Sequence, residues 1–221
     1  MFGDAPVSGG PRRAAEGTLS VMAAAPDRDY AAALPVLRAL ASAADDRSMR
    51  VGTAWGLGSA LKSVNQCLAG IHIAAAAEAL VFAQRSGLEL DAVVRAIVPA
   101  AGNSWMFEDR APRMLQALRA IANAEVNGGG DSDSTLVRTE MPEVKSALQI
   151  FVKDLKIVRD ECHAQGAPSP LAECALTMFE RARELGLAHS DDSSVIHAYA
   201  RKEEQPVEVY DEPRHRLVFR N

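Results

Sequence analysis

The sequence predicts a mostly α fold in which a run of helices follows a short β-α-β piece. Three observations predict it. Apolar residues recur at helical spacing through most of the chain beyond residue 56, and strand-like runs are confined to the first 52 residues. A hydrophobic content of 48% over 221 residues is enough to bury a sizeable core in one or two domains.

The chain opens on Asp4-Ala5-Pro6-Val7-Ser8-Gly9-Gly10-Pro11 with no strand before it. From its residues alone, Ser8-Gly9-Gly10 is either a flexible glycine turn or a nest whose amides, with the Ser8 hydroxyl, converge on an anion. Gly17 to Ala23 reads as a strand. Asp27 to Ser42 reads as an amphipathic helix carrying Tyr30, Leu34, Leu37, Leu40 and Ala41, and Met49 to Gly52 as a second strand.

The next stretch organises the rest. Leu61, Val64, Leu68, Ile71 and Ala75 keep helical spacing from Ser59, a predicted N-cap, to Gly87, a predicted C′ residue. That is about 27 residues, or roughly 40 Å, enough to reach from one domain into another. Lys62, Asn65 and Gln66 stand at i, i+3 and i+4, so an ammonium and two amides share one face. Taken alone, the trio is either a solvated lysine with polar company or a functional cluster beside apolar neighbours. Gly56-Leu57-Gly58 begins like a dinucleotide fingerprint, but Leu61 stands at its third glycine, and Glu78 falls inside a helix instead of at a strand end. It is not read as a pyrophosphate loop.

Further helices are predicted at Leu90 to Ala100, Glu108 to Asn123, Glu143 to Gln165 and Leu171 to Leu185, with Ser190-Asp191-Asp192 capping a last one through Tyr199. The Ala101 to Phe107 break, with Asn103 and Ser104, caps a helix or presents polar groups to a ligand; capping is the simpler reading. Residues 123-142 read as a mobile polar loop and residues 201-221 as a disordered tail. Cys67, Cys162 and Cys174 are odd in number, lack metal-ligand spacing and read as reduced core thiols; no metal site is predicted. A net charge of −5 and a pI near 5.6 offer no field for nucleic acid or anionic lipid. No signal peptide and no run of roughly 18 uninterrupted apolar residues is read, which predicts a cytoplasmic protein with no membrane partner. The apolar stripes exceed what this short chain can cover, which predicts a homodimer or homotetramer.

Three ordered motifs resemble those of the β-hydroxyacid dehydrogenase family, which includes 3-hydroxyisobutyrate, tartronate-semialdehyde and threonate dehydrogenases. Asp4 to Gly10, with Ala14, Ala15 and Gly17-Thr18-Leu19, resembles the family's substrate-binding motif. Gly56 to Gln66 resembles its catalytic motif, and Phe151-Val152-Lys153-Asp154-Leu155 its lysine motif near the nicotinamide. Gly102 to Glu108 looks most like the threonate-type branch. The resemblance implies the helical domain of a 6-phosphogluconate-dehydrogenase-like fold preceded by a truncated Rossmann remnant. On that reading residues 1-55 are the remnant, 56-87 the interdomain helix, and 88-200 a helical dimerisation and substrate domain.

It further implies hydride transfer between NAD or NADP and a small hydroxy acid. Lys62 would be the acid and base and Asn65 its partner. Ser8, Gly9, Gly10, Gln66 and Asn103 would bind substrate, and Lys153 the cofactor. The sequence departs from the pattern in having Asn65-Gln66 where many members have Asn-Asn, a longer insertion near 123-142, and no Gly-x-Gly-x-x-Gly βαβ unit. Tight cofactor binding is therefore expected to require an N-terminal half that this chain lacks. The rival reading is an inactive remnant that dimerises through its helices.

Overall fold

A computed structural model describes residues 3–41, 48–126 and 143–200. The predicted loop from residue 127 onward and the tail at 201-221 lie outside the described residues.

The front of the molecule is a three-stranded sheet. β1 (Val7–Ser8) pairs antiparallel with β2 (Ser20–Ala24), and β2 pairs parallel with β3 (Ser48–Gly52). β1, inside the opening stretch, and α1 (Gly10–Ala15), a six-residue helix with proline in its first turn, were not predicted. α2 (Asp27–Ala41) connects β2 to β3, as the alternation of patterns predicts. Its Leu37 and Ala41 pack with Val21 and Ala23 of β2 to make a small core.

α3 (Leu57–Arg85) is the spine of the helical body. Its small residues let neighbours approach closely, and Ile73, Ala77 and Leu80 are fully buried. Around it pack α4 (Leu90–Ile97), α5 (Trp105–Val126), α6 (Leu148–Ala164), α7 (Pro170–Ala182) and α8 (Ile196–Ala200). α7 ends in a tight turn, Arg183–Leu187, where Gly186 takes a left-handed conformation. Met114, Leu118, Leu148, Leu155, Phe179 and Ile196 complete the core, with Phe151 stacked on Phe179 at 5.4 Å between ring centroids. α3 is long and apolar enough to cross a membrane, with a mean hydropathy of 1.6 over 18 residues, yet half of that window is buried in the body. Val64, Leu68 and Phe82 on α3 remain exposed.

Several boundaries move for tertiary reasons. α3 begins two residues before the predicted Ser59 cap, because Asp4, from elsewhere in the chain, accepts from the Gly56 and Ser59 amides. α5 begins at Trp105, since Ser104 Oγ accepts from Phe107 N at 3.0 Å, and it continues through 123 to Val126. α6 begins at Leu148 instead of Glu143, because Ala147 pairs with Asp191 and Lys145 N donates to the Asp191 carboxylate at 2.9 Å. Cys67 and Cys162 do pack against the core, but Cys174 is exposed, which corrects its assignment as a core thiol.

Candidate active site

The seam between the sheet-bearing front and α3 sets the site. Asp4 accepts from Ser59 N at 2.7 Å and from Gly56 N at 3.3 Å, so its carboxylate occupies the N-terminus of α3. Ser59 is thus a donor to Asp4 and does not cap the helix. Gly58 lets the helix sit directly on the sheet: a Cβ there would lie 2.4 Å from the Met22 carbonyl oxygen. The Gly56-Leu57-Gly58 sequence therefore serves helix packing, and the Asp4 carboxylate stands where a pyrophosphate would meet that turn.

One turn further along α3, Lys62, Asn65 and Gln66 line a cleft of about 1440 Å³ that Ser8, Gly9 and Gly10 also line. Lys62 is partly buried, and burial pulls its pKa below the ordinary lysine value; Asp154 opposes that shift and Lys153 adds to it. Asn65 Nδ2 donates to Gln66 Oε1 at 2.9 Å, and Gln66 Nε2 donates to Asp154 Oδ2 at 2.5 Å. Asp154 also receives Lys153 Nζ at 2.7 Å. α6 can deliver this pair because it crosses α3 at contact distance: a Cβ on Gly70 would lie 2.8 Å from Leu155.

The cleft therefore gathers Ser8, Gly9, Gly10, Lys62, Asn65, Gln66 and Lys153, seven of the predicted site residues. Asn103 does not line it. Its Nδ2 lies 3.4 Å from Glu108 Oε2, and its Oδ1 is buried without a hydrogen-bond partner. Gln66 spends its amide on Asn65 and Asp154. Asp154, which sequence reasoning passed over, sits next to Lys153 in the quoted motif and off the apolar stripe of α6. That off-stripe position was the signal that could have found it.

A buried ion cluster, also missed, reaches the cleft through Asp109 and Arg110. Arg110 grips Asp192 through Nε at 3.1 Å and Nη2 at 2.8 Å, Arg113 Nε meets Asp191 at 2.9 Å, and Asp109 bridges both guanidinium groups. Burial works against the Asp191 charge, but hydrogen bonds from Ser193, Lys145 N and Arg113 outweigh it and hold its pKa below the usual carboxylate value. The Asp-Asp dipeptide read as a cap thus joins α5 to the start of α6; Asp191 does accept from Ser193 N as a cap would.

Chemically, an amine of lowered pKa shares with Ser8, Gly9 and Gly10 a space ample for a small acid. Residues 1–53 match the family model described as the NAD binding domain of 6-phosphogluconate dehydrogenase. Residues 56–123 and 123–199 match the model described as NAD-binding of NADP-dependent 3-hydroxyisobutyrate dehydrogenase. The L-threonate dehydrogenase of Escherichia coli (strain K12) is 41% identical over 197 residues, covering 89% of this chain and 56% of that protein. The enzyme of the same name from Cupriavidus necator is 42% identical over 87% of this chain and 56% of its own length. The crystal structure of a 3-hydroxyisobutyrate dehydrogenase from Salmonella typhimurium superposes with a TM-score of 0.68 at 42% identity, covering 88% of this chain and 59% of that one. The chain spans little more than half the length of these relatives.

Proposed function

Because the chain belongs to the β-hydroxyacid dehydrogenase family, we propose that it carries the acid-base and substrate-holding side of a nicotinamide-dependent oxidation of a small hydroxy acid, L-threonate or a close analogue. The observation that carries this reading is Lys62, a partly buried amine of lowered pKa that lines one cleft with Ser8, Gly9 and Gly10. The lowered pKa raises the fraction of neutral amine available to take the substrate hydroxyl proton, and the same ammonium returns it in reduction. The Ser8 hydroxyl and the Gly9 and Gly10 amides bind the substrate carboxylate and fix the reacting carbon near Lys62. When bound, a nicotinamide dinucleotide supplies the hydride acceptor.

The described residues fit the nicotinamide end of that cofactor and not its pyrophosphate. Lys153 is two-thirds exposed at the cleft, whereas the α3 N-terminus is filled by Asp4 and the first turn of α2 carries Asp27 and Asp29, the wrong sign for phosphate. On this proposal residues 1-55 form the nucleotide side, 56-87 the connecting helix and 88-200 the substrate side. The 41–42% identity to L-threonate dehydrogenases supports threonate among hydroxy acids.

The test is reduction of NAD and NADP with L-threonate and 3-hydroxyisobutyrate, using the 221-residue chain alone and fused behind a Gly-x-Gly-x-x-Gly βαβ unit. The fusion should turn over, and Lys62→Ala should lower its kcat at least about 100-fold. Equal turnover by that variant would sink the assignment. The exposed Val64, Leu68 and Phe82 on one side of α3 support self-association. Sedimentation at micromolar concentration should show a dimer or tetramer; a monomer contradicts that part.

A further inference from the structure

The Asn65, Gln66 and Asp154 side chains form a directional relay, and the direction matters to the reading above, on which this inference rests. A carboxylate can only accept hydrogen bonds. With Asp154 at the far end, Gln66 must turn its NH2 to Asp154 at 2.5 Å, which leaves Gln66 Oε1 facing Asn65. Asn65 must then turn its own NH2 to that oxygen, at 2.9 Å. The oxygen of Asn65 is the end left over, on a residue that lines the cleft one helical turn from Lys62.

We propose that Asp154 is a positioning residue which, through Gln66, polarises the amide pair so that Asn65 offers the cleft a hydrogen-bond acceptor. An acceptor there takes a hydrogen from the Lys62 ammonium or from a substrate hydroxyl. The reversed amide would offer only N–H groups, which cannot do so. Asp154 is suited to hold the direction because it comes from a different helix and is only 12% exposed, so its charge-assisted bonds are poorly replaced by water. Lys153 does not take its place. Two-thirds exposed, it pairs with the other carboxylate oxygen, Oδ1, and leaves Oδ2 to Gln66.

The proposal predicts a spectroscopic signature in the 221-residue chain itself. In the unaltered protein the side-chain carbonyl carbon of Gln66 should carry the NMR shift of a hydrogen-bonded amide, and the Asn65 NH2 the shift of a group held to a carbonyl oxygen. Asp154→Asn keeps the shape but can donate as well as accept, so the order should be lost, and the Asn65 carbonyl and NH2 signals should both move. Gln66→Met cuts the relay while leaving Asp154 and Lys153 paired, and should move the Asn65 signals as well. Asn65 signals unchanged in either variant, with the backbone spectrum intact, overturn the relay. If Asp154→Asn moves them and Gln66→Met does not, Asp154 acts by another route and the proposal also falls. Failure of the dehydrogenase reading would appear in the turnover assay and leave these amide signals as predicted.

Discussion

The front sheet and the helical body bury themselves by different means. The front relies on a handful of side chains, Val21, Ala23, Leu37 and Ala41, under a sheet whose first strand is two residues long. The body wraps α3 with a continuous core and a buried ion cluster. The amine and the amide relay stand on helices of the body, and the Ser8 to Gly10 loop stands on the front. Precision in placing Lys62 is thus set by the well-packed region, while Ser8, Gly9 and Gly10 belong to the region with less to hold them.

That contrast is sharpest in a pair of core truncations. Phe179→Ala should cost about 3–5 kcal/mol in urea unfolding and carry the whole helical signal with it. Leu37→Ala should speed amide exchange in β2 and β3 and leave the α7 amides protected. If α7 exchanges faster by the same factor, the two regions unfold as one unit and the contrast is broken.

Next in size is the joint between them. Gly58→Ala forces a Cβ against the Met22 carbonyl oxygen, and should cost about 1–3 kcal/mol, read as loosening of the front while the α5 to α7 amides stay slow.

The smallest effect is the cost of Lys62 itself. Its folded-state pKa lies below the unfolded value of 10.5, so the unfolded chain binds more protons between the two values and stability rises with pH across that window. Lys62→Met should therefore raise the urea midpoint at pH 7, and this electrostatic gain should shrink as pH climbs through the lowered pKa toward 10.5. A gain that is the same on both sides of that window would mean that the lysine proton is not the source.

Much of this was legible in the chain. The 3.6-residue rhythm of Leu61, Val64, Leu68 and Ile71 marked α3, and three ordered motifs marked the family that the comparisons establish. What escaped was tertiary. Ser59 is a good cap by composition, but its amide is claimed by a carboxylate 55 positions away. Asp154 looks like a solvated neighbour of Lys153 until α6 crosses α3 and brings it to Gln66, 88 positions off. Asp191 and Asp192 follow a loop, where acidic residues usually cap a helix, and only the fold reveals Arg110 and Arg113 waiting for them. α1 was lost because six residues that open on Gly10-Pro11 give periodicity no room to register.

The crossing of α3 and α6 at Gly70 and Leu155 is the point about which any swing of α3 would turn with least displacement. Gln66 lies four residues from it, an arm of about 6 Å, while Phe82 lies twelve residues the other way, an arm of about 18 Å. A 5° swing of α3 about that contact would shift Phe82 by roughly 1.6 Å and Gln66 by only about 0.5 Å, by the same helix rise. A displacement of the exposed far end would therefore reach the amide relay reduced about threefold in amplitude.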